Sequence, residues 1–460
     1  MVNPIVSINV SQTIAPTPNT LQKKGAFISQ GATTTAIGTQ TLLTQLSDLT
    51  PILTGALAVT SITQSAGLAT VTTTAPHGYT TSDVVPITIA GALPAAYNGV
   101  KQCTITGAST FTFAIASGTS TPATGTIVWT PEDVAELLAM ATTFFAQGST
   151  QAVSVLEIGE GTAAEGVTYM TTFLATNPNA FYSYLVPRYW ADESTYLTFV
   201  ANFESPTSKV YFFTTMTTGN YTSFTPAMKC VVGLVEAPTI PVTEFSLAAM
   251  FYVTLNYNPS STNKITPTAF SYLFGVTSYP LAGNGALLTA LAAAGVNYVG
   301  TGSEGGISTA VLFYGTTMDS NDFTYWYSVD WAQINLDLDL ANAVINGSNN
   351  PINPLYYNQD GINRLEAVAA GTMSRGVQYG LVLGNVTQVG LAAPDFTNAL
   401  NAGTFVNQTV VNAVPFVPYS IANPSDYKIG KYAGLSVSYT PARGFKAIIV
   451  NLNVSQFVAQ

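Results

Sequence analysis

A chain of 460 residues can bury a large core and hold two to four domains, so a small scaffold stapled by disulfides is excluded. Hydrophobic residues make up 47% and charged residues only 8%, against roughly 25% charged in an ordinary soluble domain; a surface this weakly charged suits a subunit whose faces are covered by copies of itself, because few charges are desolvated when the interfaces form. A net charge of −10 and a pI of about 4.4, with no stripe of Lys or Arg, exclude nucleic acid as a partner.

Residues 5–12 read IVSINVSQ, with Val6, Ile8 and Val10 alternating against Ser7, Asn9 and Ser11, the period of a strand with one apolar face. The opening segment has neither a basic n-region nor an apolar h-region, and no window of 18 apolar residues occurs. Neither a signal peptide nor a membrane span is expected, and the chain is expected to be made and kept in the cytosol. Pro16 and Pro18 then hold the backbone extended, and Lys23 and Lys24 keep it solvated, as befits a tether. Residues 26–29 predict a short strand. Leu42, Leu43, Leu46 and Leu49 fall at helical spacing and predict a helix.

From residue 56 to 129 the texture changes to short Thr-, Gly- and Ala-rich strands with turns every 8–12 residues, the pattern of a small barrel or sandwich. This run holds the one histidine, His77, which reads as a turn residue because no second histidine or acid stands near it. The succession His77-Gly78-Tyr79, a strand at 83–89, Ala96-Tyr97-Asn98-Gly99 and Phe111-Thr112-Phe113 resembles a small β module that recurs as an insertion in phage structural proteins. The likeness implies decoration rather than chemistry. Cys103 and Cys230 each sit in an apolar, strand-like setting without a partner motif, so buried free thiols are expected.

The host fold resumes with a helix start, Thr130 as N-cap and Pro131 as first helical residue. Strands at 152–158, 181–187, 209–215 and 230–236, interleaved with helices, predict an α/β fold with a largely parallel covered sheet. Gly159-Glu160-Gly161-Thr162-Ala163-Ala164 matches G-x-G-x-x-A. Glu160 and Glu165 stand where a pyrophosphate would lie, no cation offsets them, and the glycines read as a tight strand-to-helix turn instead. No cofactor or metal site is expected.

A short helix near 287–294 and strands NYVG and STAVLFYG follow. The aromatic stretch 323–331 then leads into a helix with Ile334, Leu338, Ala341 and Ile345 on one face and Asp330, Asp337 and Asp339 off it, on a solvated or partner-facing side. No His, Lys or Arg nearby in sequence would split the roles of these carboxylates, so catalysis is not expected. After Pro351 and Pro354 comes a second helix carrying Arg364 and Arg375. Strands are predicted at VQYGLVLG, TFVNQTVVNA and GLSVSYTP, with a loop from Val414 that carries Lys428 and Lys431. The final stretch alternates again, with Ile448, Val450, Leu452 and Val454 on one face.

With these elements in view, the segment from Asp330, Trp331 and Asn335 through Pro354 to Leu365 resembles the contractile tail sheath proteins of myovirus-type bacteriophages, and the likeness extends more loosely to the α/β region and both ends. The resemblance implies a non-enzymatic virion protein that stacks as a homo-oligomer around a tail tube, meets baseplate and tail terminator, is assembled in the host cytoplasm and shortens to drive the tube into the host. It implies that the terminal strands, Val6, Ile8 and Val10 with Ile448, Val450, Leu452 and Val454, are exchanged between subunits. It also implies that the C-terminal half faces the tube, making Asp337, Asp339, Arg364, Arg375, Lys428 and Lys431 the tube-facing candidates. The expected division is an arm at 1–24, an α/β domain at 25–55 and 131–322, the β module at 56–130, and a C-terminal domain at 323–460 with its strand arm. Hinges are expected at 14–25 and 440–444. The competing reading is a carbohydrate-binding or enzymatic virion surface protein, prompted by the β module and by aromatics such as Tyr97.

Overall fold

The computed structural model describes residues 20–224, 228–280, 283–301 and 309–446. It is a mixed α/β chain with several sheets and a small closed six-stranded barrel, divided into two compact units. The described part of the larger unit is 21–224, 228–256, 267–280, 283–301, 309–323 and 445–446; that of the smaller is 20, 257–266 and 324–444.

In the larger unit β1 (Gly25–Ser29) and β2 (Gln40–Leu43) precede the barrel strands β3 (Leu57–Ser65), β4 (Leu68–Thr73), β5 (Val84–Ala90), β6 (Gly99–Gly107), β7 (Thr110–Ala114) and β8 (Val128–Pro131). There follow α1 (Glu132–Ala146), β9 (Val153–Glu157), α2 (Ala163–Thr176), β10 (Ser183–Leu185), α3 (Ser194–Ala201), β11 (Tyr211–Met216), β12 (Val231–Val235), α4 (Ser246–Leu255), α5 (Gly285–Ala293), β13 (Tyr298–Thr301) and β14 (Ala310–Phe313).

Six of these strands form one sheet in the order β12-β11-β10-β1-β9-β2; the first five pair in parallel, and β2 runs antiparallel along β9 at the edge. Strands β1, β11 and β12 are buried along their whole length, which is why they read as unbroken apolar runs rather than as alternating ones. Phe27 and Phe213 point to one side, meeting Phe144 of α1 at 5.4 Å and Phe251 of α4 at 4.9 Å. Ala26, Ile28, Tyr184 and Phe212 join Met170, Trp190, Tyr196 and Phe199 in the larger apolar core. Asn297 extends the β12 edge: its backbone exchanges bonds with Gly233 and Val235, and its side chain bridges the Gly233 and Thr316 carbonyls at 2.8 and 2.7 Å.

The Leu-rich stretch after residue 39 is not a helix but β2 followed by a single 3-10 turn, Leu46–Asp48. Only Leu43 of β2 is buried and Leu42 is exposed, so the leucine spacing does not correspond to one buried helix face, and pairing with β9 decides the conformation. The host helix starts one residue late: Thr130 still belongs to β8, paired with Thr88, and Pro131 is the N-cap.

The barrel closes in the order β3-β4-β7-β6-β5-β8. Its inward positions, among them Ile62, Val71, Ile87, Ile105, Phe111 and Trp129, alternate with outward threonines such as Thr70, Thr72, Thr104 and Thr112, the period-two pattern of strands buried on one side. Cys103 and Cys230 are both buried and unpaired, and burial pushes the Cys103 thiol up to about 12. Tyr97 is a core residue of the barrel, with its hydroxyl donating to the Ser120 carbonyl at 2.9 Å, so it offers no exposed aromatic face.

The smaller unit consists of α6 (Phe323–Ser348, whose first residue belongs to the larger unit), α7 (Gln359–Gln378), β15 (Val386–Val389), α8 (Ala393–Asn401), β16 (Thr409–Ala413), α9 (Phe416–Ala422), α10 (Pro424–Lys428) and β17 (Leu435–Ser438). Strands β15 and β16 are parallel with α8 as the crossover, and β17 runs antiparallel on the other side of β16. The aromatic stretch is the first part of α6, VQYGLVLG ends α7 and turns rather than forming a strand, and the expected loop after Val414 contains α9 and α10. Pro424 at the first position of α10 and Asp426 in its first turn are helix-start signals, and Asn423 both closes α9 and caps α10.

Candidate functional site

The G-x-G-x-x-A turn between β9 and α2 is filled by the protein's own carboxylates. Glu157 is 2% exposed and accepts from Ser29 Oγ at 2.6 Å, Gly31 N at 2.9 Å, Thr33 N at 3.1 Å, Thr33 Oγ1 at 2.7 Å and Gly159 N at 2.8 Å. At the start of α2, Glu165 Oε2 accepts from Thr162 N at 2.8 Å while the Thr162 hydroxyl accepts from Glu165 N, a reciprocal capping box. The N–H groups of Gly159, Thr162 and Glu165 are thus engaged within the turn, and Glu160 and Glu165 stand at its approach.

Behind β10 and β12 lies a charged knot. Arg188 grips Glu236 with two bonds, Nε to Oε2 at 2.6 Å and Nη2 to Oε1 at 3.0 Å; Nη1 lies 3.4 Å from Glu136, and the guanidinium stacks 4.1 Å over the Phe245 ring. Burial works to lower the Arg188 pKa, but the Glu236 bonds and the charges of Glu236, Glu136 and Glu244 hold it above its ordinary value. Glu244 is spent on Ser246 Oγ, Thr277 N and Thr277 Oγ1, each at 2.6 Å. Every carboxylate of the knot has donors, as a structural tie between loops requires and a general base does not. Among the described residues no group of three or more His, Cys, Asp or Glu side chains is disposed to hold a metal ion, and no helix is long and apolar enough to cross a membrane.

The tube-facing candidates all lie in the smaller unit, but they are not equivalent. Asp339 of α6 and Arg375 of α7 bond each other, and Asp339 also accepts from Thr372 Oγ1 at 2.5 Å, so this pair ties the two helices together. Arg364 turns back onto the proline-containing connector, donating to Pro354 O at 3.1 Å and Asn353 Oδ1 at 3.2 Å. Lys431 lies 3.6 Å from Asp426. Asp337 and Lys428 are exposed. Asp330, expected on the solvated side of α6, is instead fully buried at 0% exposure, and its helix neighbours Tyr327, Ser328 and Trp331 are buried too, so the first turns of α6 are themselves part of the core.

The strand-exchange candidates, Val6, Ile8, Val10, Ile448, Val450, Leu452 and Val454, lie outside the described residues. What the structure does describe is the sheet β15-β16-β17, whose central strand is buried throughout and whose outer strands are half-exposed. Of the C-terminal hinge, Thr440 to Ala442 is tied down: Leu383 N donates to Thr440 O and Ala442 N to Leu381 O, both at 2.9 Å, around the bridge between Val382 and Pro441.

No family model matches the chain, and no curated protein matches it. Among solved structures it is similar to a chain of the anti-feeding prophage (AFP) helical sheath in its contracted state, at 10% identity over 99% of this chain and 100% of that one, with a TM-score of 0.49. It is also similar to the sheath tail protein Lin1278 from Listeria innocua, at 9% identity over 93% and 96% of the two chains, with a TM-score of 0.38. A chain of the AFP baseplate in its contracted state matches at 10% identity over 98% of each chain with a TM-score of 0.50, and with that chain this protein shares its fold.

Proposed function

We propose that this chain is a non-enzymatic sheath subunit of a contractile, phage-like tail. In this reading it is built in the host cytoplasm and polymerises into a helical homo-oligomer around a tube, between a baseplate and a terminator. The observation that carries the reading is the fold shared along 98% of this chain with a chain of the contracted AFP baseplate, together with the sheath-like segment from Asp330 to Leu365. The covered parallel sheet would be the rigid body of each subunit, the barrel at 56–130 a decoration inserted into it, and 323–460 the part that meets the tube.

The strands carrying Val6, Ile8, Val10, Ile448, Val450, Leu452 and Val454 would pair with sheets of neighbouring copies. Each backbone bond in such a strand contributes only about 0.5–1.5 kcal/mol net, so one link is weak and the lattice durable through repetition. Of the tube-facing candidates, Asp337 and Lys428 are exposed, while Asp339, Arg364 and Arg375 also serve contacts within the smaller unit. In contraction the bodies would turn rigidly while the strand links persist, the extended lattice being the trapped state of higher free energy.

The test is electron microscopy of the purified chain beside a variant lacking residues 1–13. Tubes or stacked rings from the full chain, and folded monomers from the truncated one, are expected. Normal sheaths from the truncated chain would overturn the arm-exchange reading, and persistent monomers of the full chain at high concentration would overturn the sheath reading.

A further inference from the structure

The barrel meets the α/β body where two loops press together. On the barrel side the β4–β5 connection presents His77, Gly78, Tyr79 and Thr80; on the body side lies the β9–α2 turn with Glu160 and, one turn into the helix, Glu165. Thr80 Oγ1 donates to Glu165 Oε1 at 3.3 Å across this contact. Glu160 is wedged more tightly. Its carboxyl lies against Gly78, at φ +88°, and its stem against Gly31, at φ +77°; a Cβ at Gly78 would collide with Oε2 and one at Gly31 with Cγ. Oε2 is buried and has no hydrogen-bond partner among the described residues.

The surroundings are acidic on every side. Glu157 of β9 stands behind Glu160, and its charge acts on it. From the barrel come Tyr79, which feels Asp133 of α1, Glu160 and Asp83, and Asp83 itself, which feels Glu165. His77 is 2% exposed, with Nδ1 accepting from Tyr79 N at 3.3 Å and its ring packed near Phe111 and Trp129. Five acids thus act at one loop contact, with no lysine or arginine among the charges acting on Glu160, Asp83 or Tyr79.

We propose that this contact is a proton-dependent clamp: it holds the barrel against the body while Glu160 is protonated and loosens when Glu160 ionises, because its buried Oε2 has no donor among the described residues and the new charge faces other carboxylates. Burial, with the Glu157 charge adding to it, raises the Glu160 pKa from its ordinary value of 4.5 to about 7. A released loop returns the carboxyl to its ordinary value, so the clamped form binds the proton more tightly than the open one. Opening is therefore rarest below pH 4.5, becomes more frequent as pH rises through 7, and is level above that. The inference goes beyond the assembly reading and holds or fails independently of it.

Hydrogen exchange on the full chain, corrected for intrinsic rates and followed from pH 5 to 8, tests it. Amides of 77–80 and 159–163 are expected to open about ten- to a hundred-fold more often at the alkaline end, the range allowing for partial exposure of the carboxyl. Glu160→Gln, neutral at every pH, is expected to stay closed throughout, and the exchange of β11 and β12 to be unaffected in both proteins. A flat profile in the unmodified chain, or the same pH dependence in Glu160→Gln, overturns the clamp. If that variant does not fold, the infrared band of a protonated carboxylic acid in the unmodified chain decides. Its loss with a midpoint matching the exchange profile supports the clamp, and its absence at pH 5.5 overturns it.

Discussion

In the barrel every strand has two hydrogen-bonded neighbours, whereas in the sheet β15-β16-β17, among the described residues, only the central strand does. The two regions therefore differ in what their backbones offer a second molecule. A closed ring has no edge to extend and meets partners through side chains alone, here a coat of threonines with few charges. In the three-stranded sheet β15 and β17 are half-exposed and, among the described residues, each pairs along one side only, an edge of the kind another strand fits. If copies associate by pairing strands, as proposed, the second region is where they would do so, and changes in the barrel would leave that association undisturbed.

The largest expected effect comes from Trp129→Ala. Trp129 is a buried core residue of the barrel, 6.0 Å from Phe111, and its removal should cost the barrel about 3–5 kcal/mol. Exchange protection should vanish from β3 to β8 and persist in β15 to β17; loss in both together would show that the two regions are not separate folding units. A smaller loss, about 1–3 kcal/mol, is expected for Asn412→Ala in β16, whose side chain bonds both Leu391 N at 2.8 Å and Leu391 O at 3.1 Å. Urea unfolding followed by exchange should confine that loss to the smaller unit.

The smallest change in stability, within about 0.5 kcal/mol, is expected from Thr387→Lys combined with Gln388→Lys, both exposed on the edge strand β15. Added lysines blunt an edge, so sedimentation should show weaker self-association at unchanged folding. The matching pair on the barrel, Thr70→Lys with Thr112→Lys, should leave association as it was. Equal effects of the two pairs would remove the distinction drawn between the regions.

The barrel and the βα alternation were legible because their signals are local: period-two alternation with glycine turns in one, unbroken apolar runs between amphipathic helices in the other. Position 39–53 misled because leucines at 42, 43, 46 and 49 fit a helix as well as they fit a strand and a turn, and only the partner strand β9 decides. Asp330 misled for a related reason. It stands four residues before Ile334, one helical turn along the same face, and the aromatic stretch around it is itself helical, so the buried side of α6 begins earlier than the 334–345 stripe. At the candidate site the charges were found but not their uses. Nothing in the spacing of Asp339 and Arg375 announces that they bond each other, because the pairing depends on how α6 lies on α7. The clamp acid, Glu160, was visible as a charge that a phosphate site would not tolerate, and burial gives it a different part.

The ties around Pro441 bear on what happens when the chain end is pulled. Tension entering at Arg443 first meets the paired bonds from Ala442 to Leu381 and from Thr440 to Leu383, before it reaches β17. Force is thus delivered to the turn that follows α7 and shared with that helix, and β17 is shielded from bearing the load by itself.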